Sequence, residues 1–270
     1  MTRDSGSIFV DRERETRRLR GAILSGRGLM ITGGRDMGKT ALVRKAIAEL
    51  PPAVGQRCVY IGAFKDLQDL LRRLIRALHQ AGAHELRREL RRAGVTKTGL
   101  EARLKDFSSS RLRGMLYRTV QGKEYRLFLD HCPGLTPAVA RVIRELFWMR
   151  QMPVYVVTSA ATETTKAARY FYWDEKQMLR LGPLPSSAAR RLMEDCIQKF
   201  GLAGLELAGF RKEILELSQL IPGAIVAMCE MAADPRYQSD SRVKTKLIHI
   251  DYLMRGRAGR VNAARTVRRR

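Results

Sequence analysis

The sequence predicts an α/β fold: a parallel five-stranded sheet flanked by helices, followed by a smaller all-α domain. Three observations carry this. Strand-like and helix-like apolar runs alternate up to about residue 181, the pattern of βα units. A glycine-rich turn joins the first strand pattern to the next helix pattern, where such folds bind ligands. Gly182-Pro183-Leu184-Pro185 then breaks the alternation, and only helical periodicity follows. The expected domains are residues 1–183, 184–254 and a basic tail, 255–270.

The elements follow in order. Residues 12–24 read as a charged amphipathic helix, and Leu29-Met30-Ile31-Thr32 as a short buried strand. A helix over 39–50 stops at Pro51-Pro52, which cannot continue it. Residues 58–61 are a second strand. Leu67, Leu70, Leu71, Leu74 and Leu78 mark one face of a helix over 67–80. Residues 85–120 read as two or three short basic helices, with Thr98 capping one and Ser109 or Ser110 another. Leu127-Phe128-Leu129-Asp130 is a third strand. Thr136-Pro137 is an N-cap and first-turn pair for a helix reaching Met149. Residues 154–158 and 178–181 supply strands four and five. Helices are expected over 187–200, 212–219, 223–233 and about 243–254.

The chemistry concentrates in Gly33-Gly34-Arg35-Asp36-Met37-Gly38-Lys39-Thr40, which fits G-x-x-x-x-G-K-[ST]. Glycines let such a loop wrap tightly, so that backbone N–H groups face phosphate oxygens. The loop ends at a helix N-terminus, whose dipole favours anions. Residues 33–40 together with Ala41 are therefore the expected nucleotide-binding set. Lys39 would reach the β- and γ-phosphates, and Thr40 would place its hydroxyl on Mg²⁺. Asp130, ending an apolar strand about ninety residues later, is the expected second magnesium group. ATP and Mg²⁺ are the expected cofactors.

Composition narrows the partners. The chain has 270 residues and 45% apolar residues, enough for a sizeable core. A formal charge of +24 will attract polyanions, of which nucleic acid is the commonest. Arg87, Arg88, Arg91 and Arg92 share one side of a helix, with Glu85 and Glu89 as partial counterweights. Residues 255–270 hold seven arginines and no acid. Both regions are candidate contacts, with DNA favoured over RNA. No signature for reading bases is evident. Tyr170 to Trp173 read as core or subunit contact rather than as a base-stacking platform. Scattered cysteines read as reduced thiols, no apolar run reaches a membrane-spanning length, and the expected location is cytoplasmic.

With these motifs in hand, the chain resembles the AAA+ superfamily of P-loop NTPases, and within it the STAND and origin-initiator-like ATPases. Phe9-Val10-Asp11-Arg12-Glu13-Arg14-Glu15 resembles the N-terminal F-V-G-R-E-x-E box, with Asp11 for glycine. Asp130 matches the Walker B aspartate. Thr158 or Ser159 matches the polar end of the sensor-1 strand. Leu181-Gly182-Pro183-Leu184 resembles the junction to a helical lid. The resemblance also implies an arginine finger, with Arg169 as candidate, and a homo-oligomer.

The departures are informative. His131 stands where the family carries an acid that orients the attacking water, which implies slow hydrolysis. Ser218-Gln219-Leu220-Ile221-Pro222 keeps the proline of a G-x-P motif but has Leu220 for glycine. No sensor-2 arginine is evident. The resemblance thus implies an ATP-binding, DNA-associated assembly, loading or regulatory factor with a protein partner. The alternative is a nucleotide-gated signalling switch working through a protein partner.

Overall fold

The computed structural model describes residues 8–95, 99–131, 136–149, 152–158 and 174–255. Its contacts gather into two compact units, one of residues 13–35 and 39–181, the other of residues 1–12, 36–38 and 182–270.

The first unit is the sheet unit. Its order is α1 (Glu13–Leu24), β1 (Leu29–Gly33), α2 (Lys39–Ala48), α3 (Pro52–Gly55), β2 (Cys58–Ile61) and α4 (Leu67–Gln80). Next come α5 (His84–Arg92), α6 (Leu100–Asp106), α7 (Ser109–Val120), β3 (Arg126–Leu129), α8 (Pro137–Arg144), β4 (Val154–Val157) and β5 (Met178–Leu181). The five strands run parallel in the order β2-β3-β4-β1-β5. Every residue of β1, β3 and β4 is buried, as expected for a sheet covered on both faces. Phe128 and Tyr155, paired in register on β3 and β4, stack with centroids 4.5 Å apart. The Tyr155 hydroxyl donates to Ala22 O on α1 (3.2 Å), and burial raises its pKa.

Most predicted elements stand where the patterns put them. Thr136 caps α8 by accepting from Val139 N–H, and that helix runs on as a π-helical turn, Glu145–Met149. The cap of α7 is a correction. Ser108, not Ser109 or Ser110, accepts from Arg111 N–H, because the helix starts one residue past it. Thr98 lies outside the described residues, and the N-cap of α6 is Gly99, without a side-chain cap.

The second unit holds α9 (Ser186–Lys199), α10 (Leu207–Leu217), α11 (Pro222–Ala232) and α12 (residues 245–255). Its core centres on Leu192, Met193, Cys196, Phe210, Ile214, Ile225 and Met228. A two-stranded antiparallel ladder, Gln238–Ser239 with Arg242–Val243, interrupts the helices. Helical periodicity gave no sign of it. Its turn rests on Asp240 in left-handed backbone (φ 53).

Among the described residues no helix is long and apolar enough to cross a membrane. Cys58, Cys196 and Cys229 are free thiols, while Cys132 lies outside the described residues.

Candidate functional site

Parallel strands carry their ligand sites beyond their C-terminal ends. Here β1 ends in Gly33, β3 leads into Asp130, and β4, between them in the sheet, leads into Thr158. Gly33 has φ 155, and a Cβ there would lie 2.7 Å from Leu181 O on the adjoining strand. Only glycine lets the loop leave the sheet at this point. The ends of the loop, through Arg35 and from Lys39, group with the sheet unit, whereas residues 36–38 group with the helical unit.

Lys39 opens α2, and its Nζ donates to Gly33 O (2.8 Å) and Gly34 O (2.5 Å). The ammonium is thereby held across the loop at a helix N-terminus. Thr40 Oγ1 donates to Asp130 Oδ2 (2.7 Å), and the Tyr60 hydroxyl donates to the same oxygen. Asp130 Oδ1 accepts from His131 N–H (2.8 Å). The carboxylate is 1% exposed, and a charge so buried persists only with such partners. Tyr60 titrates above the ordinary tyrosine range, first through burial and then through its bond to Asp130. It is therefore a fixed donor.

The crown of the loop is held within the helical unit. Asp36 adopts left-handed backbone (φ 60). Its carbonyl accepts from Gly223 N–H (2.8 Å) on α11, and its Oδ2 accepts from the Tyr252 hydroxyl (2.8 Å) on α12. A Cβ on Gly223 would stand 2.7 Å from Asp36 Cβ and 2.8 Å from Asp36 O. A trans peptide points its C=O and N–H in opposite directions. Holding Asp36 C=O toward Gly223 therefore turns the Met37 N–H away from α11.

Of the sequence-predicted residues, Lys39, Thr40 and Asp130 converge. Thr158 is 4% exposed, and its Oγ1 has no hydrogen-bond partner among the described residues. His131 takes left-handed backbone (φ 50), its side chain is 68% exposed, and its Nε2 lies 3.8 Å from Asp130 Oδ2, too far for a hydrogen bond. Arg169, Ser159 and the aromatic run 170–173 lie outside the described residues, as do residues 256–270 of the tail. Sequence reasoning missed Tyr60, Gly223 and Tyr252. A hydroxyl-bearing aromatic in the strand beside Asp130 was the available signal for Tyr60. Nothing local marks the other two.

The oxygen-only donor set of Thr40 and Asp130 suits a hard cation. Magnesium takes one or two protein oxygens plus phosphates and water, not a dedicated cage. Among the described residues no cluster of three or more His, Cys, Asp or Glu side chains could hold a metal ion. A groove of about 880 Å³ between α9 and α10, lined by Arg190, Glu194, Arg211 and Leu220 among others, contains none of the predicted site residues.

Two departures from glycine keep the backbone that glycine would favour. Asp11 has φ 63 and Leu220 has φ 58. Both turns are left-handed without a glycine to favour them.

No protein-family model matches the chain, and no curated protein matches it in sequence. Solved structures do match its fold. The Walker-type ATPase of Pyrococcus abyssi is similar over 96% of this chain and 76% of its own, with TM-score 0.61 and 13% identity. The Aeropyrum pernix ORC1 protein, solved in complex with DNA, is similar over 94% and 68%, with TM-score 0.61 and 14% identity. A variant of Thermotoga maritima RuvB is similar over 91% and 70%, with TM-score 0.51 and 13% identity. The likeness is one of fold: a parallel five-stranded sheet flanked by helices, followed by a helical C-terminal part.

Proposed function

We propose that this chain binds ATP with magnesium, hydrolyses it slowly, and associates with DNA as an ATP-dependent assembly, loading or regulatory factor. The observation that carries the nucleotide half is the convergence of Lys39, Thr40 and Asp130 at the ends of β1 and β3. Lys39 would exchange loop carbonyls for phosphate oxygens. Thr40 and Asp130 would hold the magnesium shell, with Tyr60 keeping the carboxylate in place. When bound, the cation would offset charge on the phosphate oxygens. Thr158, a buried hydroxyl without a partner at the end of β4, is suited to contact a phosphate or a water there.

Slow turnover follows from His131. Its ring is exposed and makes no hydrogen bond among the described residues, so nothing fixes it as a base toward a water. Arg169 remains the candidate finger across a subunit contact in a homo-oligomer, where it would add to the positive charge of Lys39 beside the transferring phosphate.

Support for DNA comes from the formal charge of +24 and from the fold shared with an ORC1 protein solved on DNA. The deciding experiment is a magnesium-dependent ATP titration with parallel phosphate-release and DNA-binding assays on wild type and Lys39→Ala. Binding lost in the variant and low wild-type turnover are expected. Equal affinity in the two proteins rejects the nucleotide reading, and fast turnover unchanged in His131→Ala rejects the role given to His131.

A further inference from the structure

Between β2 and β3 the sheet unit carries α5, α6 and α7, and residues 84–123 hold eleven Lys and Arg against four Asp and Glu. In the sequence alone Glu85 and Glu89 look like counterweights to the arginines of α5. The structure assigns them elsewhere. Glu85 pairs with Lys123 (3.1 Å) and Glu89 with Arg118. The other two acids are also committed, Glu101 to Arg76 and Asp106 to Arg103 (3.9 Å).

Buried Leu86 and Leu90 anchor α5 on the core of the unit. Arg87, Arg88, Arg91 and Arg92 are all exposed, and none has an acidic partner among the described residues. Arg87 donates only to His79 O at 3.4 Å. Residues 88 and 92, and 87 and 91, stand one helical turn apart, about 6 Å between Cβ atoms. The helix thus presents two adjacent columns of guanidinium groups on a backbone fixed by packing.

We propose that this face of α5 contacts the phosphodiester backbone of DNA, a proposal that rests on the DNA reading above and names its surface. Guanidinium groups pair bidentately with phosphate oxygens, and a packed helix presents them at low entropic cost. An acidic membrane surface fits less well, because the outward face of α5 offers no large apolar side chain to insert. The four positions that face outward include no aromatic residue or amide, so base stacking and base readout are not expected. The contact is therefore independent of sequence, and each phosphate engaged adds to the salt dependence.

The test uses the full chain and a fluorescein-labelled DNA duplex, with affinity measured by anisotropy over a series of NaCl concentrations. Arg88→Ala/Arg91→Ala/Arg92→Ala is compared with a charge-matched control, Arg190→Ala/Arg191→Ala/Lys212→Ala, on the helical unit. The expected result is a loss of about tenfold or more for the α5 variant. The slope of log affinity against log salt should become shallower by about 2.7, three contacts at about 0.9 each. The control should stay close to wild type, and binding of a fluorescent ATP analogue should be unchanged in both, which also shows that the variants fold. Wild-type binding with an unaltered slope in the α5 variant overturns this surface and leaves the DNA reading standing. Equal losses in both variants overturn it in favour of diffuse attraction. A wild type that ignores the duplex at low salt but binds acidic vesicles through α5 overturns both.

Discussion

At the ends of β1 and β3, Lys39, Thr40, Tyr60 and Asp130 are tied to one another or to loop carbonyls, and the central carboxylate is almost wholly out of water. On α5 the arginines stand in solvent without acidic partners among the described residues, while the neighbouring glutamates pair with Arg118 on α7 and with Lys123 just beyond that helix. Both regions are candidates for phosphate, yet one is a closed network and the other an open row. A closed network fixes geometry, so it can favour one anion in one pose, and removing a member strands the rest. An open row fixes only a line of charge, so it accepts any backbone and depends on salt.

The largest expected effect tests the closed side. Lys39→Ala removes a charge-assisted donor worth about 2–3 kcal/mol, so ATP affinity should fall about 30- to 150-fold in a fluorescent-analogue titration. The salt slope of DNA binding should stay as it was. If both readouts fell together, the two regions would not be separate anion sites.

Next in size is a salt effect that should divide them. Three phosphate contacts on α5 imply that DNA affinity drops about 40-fold between about 50 and 200 mM NaCl. The affinity of magnesium-ATP should change several-fold less, because its partners are partly buried and screened less. Parallel slopes for the two ligands would erase the contrast.

These two regions also differ in how legible they were. The loop pattern, the strand before it and the aspartate of the third strand could be read directly, because each depends on residues close in sequence. The five strands and the Thr136 cap were legible for the same reason. Tyr60, Gly223 and Tyr252 were not, since they meet Asp130 or Asp36 only through tertiary folding. The free state of the α5 arginines was hidden as well. Sequence spacing placed Glu85 and Glu89 beside them, and only the packing of α7 shows which cations those acids meet.

A smaller effect sharpens the picture of the closed loop. Gly223→Ala would press a methyl group into Asp36, and overpacking of this kind costs about 1–3 kcal/mol. Tyr252→Phe should cost about 1 kcal/mol through one lost hydrogen bond. Urea unfolding should rank the two in that order. If the crown is set by Gly223, ATP affinity should weaken more in Gly223→Ala than in Tyr252→Phe, since only the former disturbs the backbone carbonyl opposite Met37 N–H.

The smallest expected effect concerns the turn after α10 and serves as a common control. Gln219 follows the C-cap of α10 in left-handed backbone (φ 53), at the position where helices favour glycine. It is exposed, so replacing it forfeits little packing. A β-carbon in that conformation costs about 1–2 kcal/mol, part of which is offset because glycine gives the unfolded chain more freedom. Gln219→Gly should therefore stabilise the chain by about 0.5–1 kcal/mol in urea unfolding. ATP and DNA affinities should not change. Leu220 next to it has the same handedness, but its side chain packs on the helical core, so Leu220→Gly sets lost burial against relieved strain. A gain at residue 219 without one at 220 would show that the burial of Leu220 outweighs the backbone strain that the two residues share.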